Sequence, residues 1–446
     1  MADEDTIFAL ATAPGRAGIA VLRISGPSAG TALSMLAGEV PSPRLARRAR
    51  FRMPANGEII DDGLALFFPG PRSFTGEDVA ELHVHGSRAV VAALMAALGG
   101  LPRLRLAEPG EFTRRAFENG KLDLTAAEGL ADLIAAETAA QRRQALRQLS
   151  GELGDLYEAW RGRLLHSLAY VEAEIDFPEE GLPGEIADRV RGEVLQLRHE
   201  ISIHLADDRR GERLRDGVSV TIIGPPNAGK SSLLNALARR DVAITSAIAG
   251  TTRDVIEVGL DLGGYPVIMA DTAGLRESGD VVEAEGVRRA RARAASADLR
   301  LVVVDSTRPD EAGALGDLLG EGTIVIANKI DLGPDDGAAW ADGLGAGRAL
   351  RLSVATGEGM DELLDHLGQA IAARFITGNA PVITRARHRQ ALQECRDALG
   401  RFVAAPLPEL AAEDLRAATR ALGRITGRVD VEDMLDIIFR EFCIGK

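Results

Sequence analysis

The sequence predicts a chain of three parts: an α+β N-terminal part, an all-α helical part, and an α/β part inserted into the helical one. Two changes of pattern along the 446 residues carry this prediction. Over residues 1–120, short apolar runs lie close to Gly or Pro, which is typical of strands and turns. Over 216–377, strand-like runs alternate with helical stretches, and they interrupt the helical apolar spacing of 121–215 and 378–446.

The first part is predicted to mix strands with helix. Residues 19–24 and 64–68 are largely apolar runs, which predict buried strands. Residues 79–85 largely alternate between apolar and polar side chains, as expected of a strand with one buried face. Residues 90–98 then predict a helix. Together these segments indicate an α+β domain.

The helical part is predicted from apolar stripes. Apolar side chains three or four residues apart recur over 164–175 and again over 186–205, and residues 176–178 interrupt them. A similar stripe follows over 392–402. Because this spacing places side chains on one helix face, the stripes indicate long packed helices. The helices before and after the α/β part are expected to come together in space.

The inserted part has the pattern of a parallel sheet. Its short β-rich runs at 218–223, 267–269, 301–304 and 323–327 are separated by helical stretches. Such alternation predicts βα units, in which the strands lie parallel. The domains are therefore predicted as 1–120, then 121–215 with 378–446, and 216–377.

Composition limits the function classes. The net charge is −14, which argues against a broad electrostatic grip on nucleic acid, although local basic stretches can still provide one. The arginine-rich stretch 44–52 is either such a stretch or a solvated face. No apolar run approaches the ~20 residues of a membrane helix. The acidic N-terminus lacks the pattern of a signal peptide, and two cysteines make no disulfide framework, so we expect a cytoplasmic protein away from membranes.

Lysine is rare in this chain. Four lysines, Lys121, Lys230, Lys329 and Lys446, stand among 52 basic residues. Either they mark places where a compact ammonium is required, or they are lysines that remain by chance without a functional requirement. Two of them fall in nucleotide-binding motifs, which makes the other two candidates for a second site.

A phosphate-binding loop follows the first predicted strand of the inserted part. Residues 224–231 read Gly-Pro-Pro-Asn-Ala-Gly-Lys-Ser, which matches the P-loop pattern after a strand. Backbone N–H groups of such a loop and of the following helix surround phosphates. Lys230 is predicted to reach the β- and γ-phosphates, and Ser231 to bind Mg²⁺.

Two switch motifs follow in the expected order. Gly250-Thr251-Thr252-Arg253-Asp254 lies where a switch segment supplies a second Mg²⁺ hydroxyl through Thr252. Asp271-Thr272-Ala273-Gly274 follows a predicted strand. There Asp271 is predicted to hold the metal through water, and the Gly274 N–H to sense the γ-phosphate.

A guanine motif completes the series. In Asn328-Lys329-Ile330-Asp331 the carboxylate can accept two hydrogen bonds from guanine N1 and N2, which adenine cannot donate, and the Lys329 stem lies along the base. Ser353-Val354-Ala355 fits the loop near guanine O6. The motifs predict a Ras-like α/β P-loop G domain. The predicted GTP-binding residues are Asn227, Ala228, Gly229, Lys230, Ser231, Ser232, Ser246, Ala247, Ile248, Ala249, Gly250, Thr251, Thr252, Asp271, Thr272, Ala273, Gly274, Asn328, Lys329, Asp331, Ser353, Val354 and Ala355.

The residue after the second switch motif is informative. Ras-like proteins place a Gln there to orient the attacking water, whereas this chain has Leu275. Leucine cannot orient water, so another group must do so if the domain hydrolyses GTP. Motifs alone leave open whether the domain is an active hydrolase or a nucleotide-dependent switch.

These motifs and others resemble the MnmE (TrmE) family of tRNA-modification GTPases, nearly from end to end. The further segments that carry the resemblance are 5–7, 14–16, 22–26, 74–78, 109–117, 119–124 and 442–446. The resemblance implies a folate-binding and dimerising N-terminal domain, a helical domain and an inserted G domain. Pro225 departs from relatives that carry Arg there, with little effect expected because loop backbone binds the phosphates.

The resemblance also implies K⁺-stimulated GTP hydrolysis. The residues implied around K⁺ are Asn227, Ser246, Ile248 and Thr251. The resemblance implies that Glu283 takes the water-orienting role that Leu275 leaves open, and that Arg253 and Arg276 stabilise the switches.

A folate site and partners are implied as well. Arg23, Glu81, Lys121 and Lys446 are implied to contact 5-formyltetrahydrofolate or a related one-carbon donor. A homodimer of the chain would form a heterotetramer with an MnmG-type FAD protein. That complex would carry out a 5-carboxymethylaminomethyl-type modification of the wobble uridine (position 34) of certain tRNAs.

Simpler interpretations stand beside these. Lys121 can be an ordinary surface lysine, Glu81 a solvent-exposed strand residue, and Lys446 part of a frayed end, although nearby apolar residues suggest a packed one. Cys443 is a possible functional thiol or, more simply, a buried one. A GTP-controlled assembly or ribosome-biogenesis scaffold is the alternative function.

The two histidines of the alternating strand do not predict a zinc site. His83 and His85 are two residues apart, but no Cys or Asp at metal-ligand spacing accompanies them.

Overall fold

The computed structural model describes residues 5–177, 184–240, 242–244, 257–271, 295–311, 319–333, 349–375, 380–429, 432–440, 442, 444 and 445. These residues belong to two compact units. The first unit contains residues 1–131, 148–195 and 394–446, and the second contains residues 132–147 and 196–393. These two units are defined by packing alone and do not test the domain boundaries given above. Those boundaries remain predictions.

The first unit begins with a six-stranded sheet and two helices. In chain order these elements are β1 (Thr6–Leu10), β2 (Ala17–Ser25), α1 (Ala29–Ala37), β3 (Arg47–Arg52), β4 (Ile59–Phe68), β5 (Val79–Gly86), α2 (Arg88–Gly99) and β6 (Leu104–Leu106). The strand order is β3-β4-β5-β2-β1-β6, with β1 and β6 parallel and the other pairs antiparallel. The predicted strands and the predicted helix of this part are confirmed, since they lie within β2, β4, β5 and α2.

The alternation of the strands decides which side chains face the core. Leu22 of β2 and Leu82 of β5 are fully buried in one cluster with Leu94 of α2. Each such burial stabilises the fold by about 1.5–3 kcal/mol. Because successive side chains of a strand point to opposite faces, Arg23 and Glu81 project from the other face of the sheet.

Helices follow the sheet. They are α3 (Glu111–Glu118), α4 (Leu124–Ala135), α5 (Ala139–Leu149), α6 (Glu152–Asp176) and α7 (Gly184–Leu205). The apolar stripes at 164–175 and 186–205 lie in α6 and α7, which confirms the helices predicted there.

The second unit contains a seven-stranded sheet. Its elements are α8 (Arg210–Asp216), β7 (Val218–Ile223), α9 (Lys230–Ala238), β8 (Ala243–Ile244), β9 (Glu257–Leu262), β10 (Tyr265–Asp271), β11 (Leu299–Asp305), β12 (Thr323–Asn328), β13 (Leu350–Arg351) and α10 (Met360–Phe375). The order is β13-β12-β11-β7-β10-β9-β8, and β13, β12, β11, β7 and β10 run parallel. The parallel sheet predicted for the inserted part is confirmed.

Burial explains the composition of this sheet. Val220, Leu301 and Ile326 from three adjacent strands are fully buried, and Leu234 of α9 and Leu363 of α10 pack in the same core. Covered on both faces, the central strands carry continuous apolar runs. The carboxyl ends of β7, β10, β11 and β12 meet at one edge, where open α/β sheets bind ligands.

Three further helices follow in the described part of the chain. They are α11 (Ala386–Ala404), α12 (Pro408–Thr426) and α13 (Glu432–Arg440). In the first unit, α12 packs along α6, so helices from before and after the inserted part do come together. Pro408 opens α12 and Gly427 ends it in a left-handed conformation, both common at these positions. The predicted mixture of α+β, all-α and α/β parts is confirmed.

Candidate functional site

The phosphate loop runs from β7 to α9, and two of its glycines are required by close contacts. A Cβ at Gly224 would lie 2.1 Å from the Val303 carbonyl oxygen, and one at Gly229 would lie 2.2 Å from Asn328 Nδ2. Both glycines have positive φ, of +155° and +100°, which side chains rarely adopt. The loop therefore lies directly against β11 and the guanine motif.

Lys230, the first residue of α9, is buried at the mouth of the loop. Its Nζ donates to the carbonyl oxygens of Gly224 at 2.9 Å and Pro225 at 2.8 Å. Ser231 and Ser232 follow in the first turn and are exposed. An ammonium and a helix N-terminus thus lie together, which is the arrangement that binds phosphates.

Asn328 ends β12 and joins two predicted parts of the nucleotide site. Its buried Nδ2 donates to the Ala228 carbonyl at 2.8 Å, and its Oδ1 accepts from the Val354 backbone N–H at 3.2 Å. The phosphate loop and the loop at 353–355 are therefore held by one side chain. Residues about 100 positions apart meet as the motif order predicts.

Lys329 makes a second connection between the guanine motif and the phosphate loop. Its Nζ donates to the Asn227 carbonyl at 2.7 Å and to Asp305 Oδ2 at 2.7 Å. The Ser306 hydroxyl donates to the Lys329 carbonyl at 3.1 Å, which holds this residue at its φ of +66°. Asp305 was missed by sequence reasoning. The available signal was an acidic residue directly after the apolar run 301–304.

The remaining guanine-motif residues differ in exposure. Asp331 and Ala355 are exposed, whereas Ser353 is fully buried. The Ser353 hydroxyl accepts from the Thr356 N–H at 3.2 Å, which closes the turn after β13. Asp331 is thus presented at the surface, on the same loop as Lys329.

Several predicted site residues lie outside the described residues. They are Ser246, Ala247, Ile248, Ala249, Gly250, Thr251, Thr252, Arg253, Thr272, Ala273, Gly274, Arg276, Glu283, Cys443 and Lys446. Leu275 lies outside them as well. For Asp271 the backbone is described: it ends β10 opposite Ile222 of β7, beside the strand that leads into the phosphate loop. The roles predicted for these residues stay predictions.

Arg23 and Glu81, predicted for the folate site, face each other on β2 and β5. Arg23 Nη2 and Glu81 Oε1 are 3.0 Å apart, and both side chains are about four-fifths buried, at 20% and 17% exposure. The Arg23 guanidinium lies over the rings of Phe74 and Phe112, at 5.5 and 5.9 Å from their centroids. Glu81 is therefore not the solvent-exposed residue of the simpler interpretation.

Lys121 and the C-terminal residues lie in the same unit. Lys121 Nζ donates to the Pro71 carbonyl at 3.0 Å. Ile444 forms a β-bridge with Pro109, and a Cβ at Gly445 would lie 2.3 Å from the Leu10 carbonyl oxygen. The residues before Lys446 therefore pack against Pro109 and the end of β1.

Comparison with known proteins decides the family. A family model described as the MnmE helical domain matches residues 124–443, and one described as the GTP-binding protein TrmE N-terminus matches residues 6–121. The tRNA modification GTPase MnmE of Paramagnetospirillum magneticum is 60% identical over 445 residues, covering 99% of this chain and 100% of that protein. The MnmE of Rhodospirillum rubrum is 57% identical over 456 residues, covering 99% of each. This chain belongs to the MnmE family.

Two solved structures are similar to part of this chain. An Era variant of Aquifex aeolicus bound to GDP.AlF4- is 26% identical, covers 43% of this chain and 69% of that chain, and has a TM-score of 0.29. The G domain of the T. maritima FeoB iron transporter is 26% identical, covers 35% and 98%, and has a TM-score of 0.27.

Segments that carry the MnmE resemblance meet in the first unit. Arg115 of the segment 109–117 donates to Glu77 at 3.1 Å and to Asp5 at 2.9 Å. Asn119 Nδ2 donates to the Thr75 carbonyl at 2.8 Å. These bonds fix the loops around the candidate folate site.

The carboxyl group of Glu111 belongs to the same charged frame. Burial opposes its ionisation, but hydrogen bonds from Arg105, the Glu108 N–H and Arg115 outweigh burial and lower its pKa. Glu111 is therefore ionised at neutral pH and holds both arginines in place.

Two other kinds of feature are absent from the described ranges. None of the helices there is long and apolar enough to cross a membrane. Within the same residues, no three His, Cys, Asp or Glu side chains are grouped to hold a metal ion. The histidines of β5 instead pair with acids: His83 Nε2 lies 3.2 Å from Glu81 Oε2, and His85 Nδ1 lies 2.9 Å from Asp61 Oδ1.

Proposed function

We propose that this chain is a K⁺-activated GTPase that acts with an MnmG-type FAD protein in 5-carboxymethylaminomethyl-type modification of the tRNA wobble uridine. Membership of the MnmE family makes it a tRNA modification GTPase. The observation that carries GTP binding is the attachment of the guanine motif to the phosphate loop through Asn328 and Lys329. We further propose that it works as a cytoplasmic homodimer.

The chain's own groups can bind the phosphates of GTP. The Lys230 ammonium lies against loop carbonyls at the start of α9, where phosphate oxygens can replace them as acceptors. Ser231 and Thr252 would hold Mg²⁺, which supplies charge neutralisation across the β- and γ-phosphates when bound. Ser231 fits this role, because its hydroxyl belongs to the exposed first turn of α9 beside the loop.

Specificity for guanine follows from Asp331. An exposed carboxylate can accept both the N1 and N2 hydrogens of guanine, whereas adenine offers no such pair of donors. Lys329 is held beside it with its ammonium bonded on both sides, so its stem is in place to lie along the base. We propose that Glu283 orients the attacking water and that Arg253 and Arg276 stabilise the switches.

The folate site is proposed in the first unit. Arg23 and Glu81, largely buried beside two phenylalanine rings, offer a charged pair and apolar surface, which suit a pterin ring with its polar edge. Lys121 and Lys446 add cations for the carboxylates of a folate glutamate tail. A bound one-carbon folate would supply the carbon unit for the modification.

The folate proposal predicts a specific calorimetric result. Titration of 5-formyltetrahydrofolate into the chain should show binding, and Lys121→Ala should weaken it by about tenfold through loss of one charged contact. Arg23→Ala should weaken it further, because the change also removes the guanidinium that pairs with the largely buried Glu81. Arg50→Ala is a matched control: Arg50 is an exposed arginine on β3, paired with Asp62 at 3.0 Å, and its loss should leave affinity unchanged. Absence of heat with the unaltered chain would refute the folate site.

The modification itself is tested in cells. Nucleoside analysis of tRNA from cells that lack the chain should show loss of the 5-carboxymethylaminomethyl-type group from wobble uridine, and expression of the intact chain should restore it. Expression of Lys230→Ala should fail to restore it, since phosphate binding depends on this ammonium. Unchanged tRNA in cells lacking the chain would favour the scaffold alternative.

A further inference from the structure

Asp305 occupies the junction of the two nucleotide motifs. It ends β11, between β7, which leads into the phosphate loop, and β12, which leads into the guanine motif. In the register of the parallel strands it pairs with Asn328. Its Oδ2 accepts from Lys329 Nζ at 2.7 Å, and that ammonium also donates to the Asn227 carbonyl at 2.7 Å. A buried carboxylate thus contacts the guanine motif and, through one lysine, the phosphate loop.

The second oxygen of the carboxylate is held too. Oδ1 accepts from the Thr307 N–H at 2.9 Å and from the Thr307 hydroxyl at 2.7 Å. Burial opposes ionisation, but the hydrogen bonds from Lys329 and Thr307 outweigh it and lower the pKa of Asp305. The carboxylate is therefore ionised and fixed in orientation, and its bond to Lys329 is charge-assisted.

Holding the Lys329 ammonium in place lowers the entropy cost of binding a guanine base. Lysine has a flexible four-carbon stem, and holding it in one conformation costs side-chain entropy. Asp305 and the Asn227 carbonyl hold the ammonium before nucleotide arrives, so less entropy is lost when a base packs on the stem. The same bonds hold the Asn227 backbone, whose φ is +61°.

We propose that Asp305 is a positioning residue for guanine nucleotides, acting through Lys329. This inference rests on the proposed GTP site and adds a residue that neither the phosphate-loop nor the guanine motif contains. Asparagine at this position keeps the shape but offers one acceptor oxygen. That oxygen can serve Thr307 or Lys329 but not both, and the amide nitrogen would face a donor.

A double-mutant cycle on GDP affinity tests the proposal. Calorimetric titration should show that Asp305→Asn weakens GDP binding by about tenfold, the value of a charge-assisted hydrogen bond. In a Lys329→Met background, which keeps the stem and removes the ammonium, Asp305→Asn should change the GDP Kd by less than about twofold. An equal loss of affinity in both backgrounds would show a merely structural role and overturn the proposal.

Melting temperatures give a second readout of the same pair. Asp305→Asn should lower the Tm of the nucleotide-free chain, but should raise it in the Lys329→Met background, where it removes an unpaired buried charge. Should Asp305→Asn fail to fold, Thr307→Val replaces it in the cycle, because it removes the hydroxyl bond to Oδ1 and leaves that oxygen held by the Thr307 N–H alone. Thr307→Val should then weaken GDP binding with Lys329 present and have no effect with Lys329→Met, and equal effects would refute the proposal.

Asp298 provides a matched control at the opposite end of β11. Its nearly buried carboxylate accepts from the Ser219 N–H at 2.9 Å and pairs with Arg213 at 2.7 Å. Asp298→Asn should lower Tm and leave the GDP Kd unchanged. A failure of the unaltered chain to bind GDP would refute the proposed function, whereas tight binding that survives Asp305→Asn would refute only this inference.

Discussion

Asn227 combines a backbone role with an available side chain. Its φ of +61° lies in the left-handed region, where Asn is enriched among non-glycine residues. Its carbonyl accepts from Lys329, which leaves the exposed side chain to other ligands. An amide oxygen can replace part of the hydration shell of K⁺, as backbone carbonyls do in potassium-selective sites. Residues that tolerate this backbone and offer such an oxygen are few.

The K⁺ proposal gives a prediction for this residue. GTP turnover should be faster in KCl than in NaCl at equal ionic strength, and Asn227→Gly should reduce turnover in KCl by at least about tenfold. Glycine keeps the left-handed backbone, so GDP affinity should stay within about twofold of the original. Phosphate-release assays in both salts, with GDP titration alongside, provide the measurement. Equal rates in KCl and NaCl for the unaltered chain would contradict the ion assignment.

Elements with strong periodicity were predictable, and short ones were not. The stripes of α6 and α7 are long enough to reveal a helical period, and β7 and β12 are apolar runs of strand length. β8 and β13 have two residues each, and a strand so short exists only because a neighbour pairs with it. Pairing partners lie far along the chain, so single-sequence patterns do not contain them.

Buried ion pairs between elements escaped prediction for the same reason. Arg389 of α11 donates to Asp207 at 2.7 Å, to Glu212 at 3.1 Å and to the Leu205 carbonyl at 3.0 Å. Burial opposes its charge, yet these acidic partners outweigh it and raise the pKa of Arg389. On the sequence alone this arginine is one of many. Asp305 was overlooked likewise, because an acid after a strand becomes informative only when its distant lysine is known.

At the scale of the whole chain, the two candidate sites fall in different compact units. The first unit holds Arg23, Glu81 and Lys121, and the second holds the phosphate loop and the guanine motif. Motif order is enough to predict the nucleotide site, since spacing and strand context agree. Prediction of a folate site required the family resemblance, because an Arg–Glu pair on neighbouring strands has no diagnostic sequence spacing.

This separation predicts that the two ligands stabilise different parts of the chain. A ligand that binds only the folded state at 100 times its Kd stabilises that state by about 2.7 kcal/mol. In differential scanning calorimetry, GDP should raise the Tm of one transition and 5-formyltetrahydrofolate that of another. Lys230→Ala should remove the first shift alone, and Lys121→Ala should diminish the second alone. Two transitions that each ligand raises equally would contradict the assignment of one site to each unit, because in a chain that unfolds in steps each ligand stabilises the part that binds it.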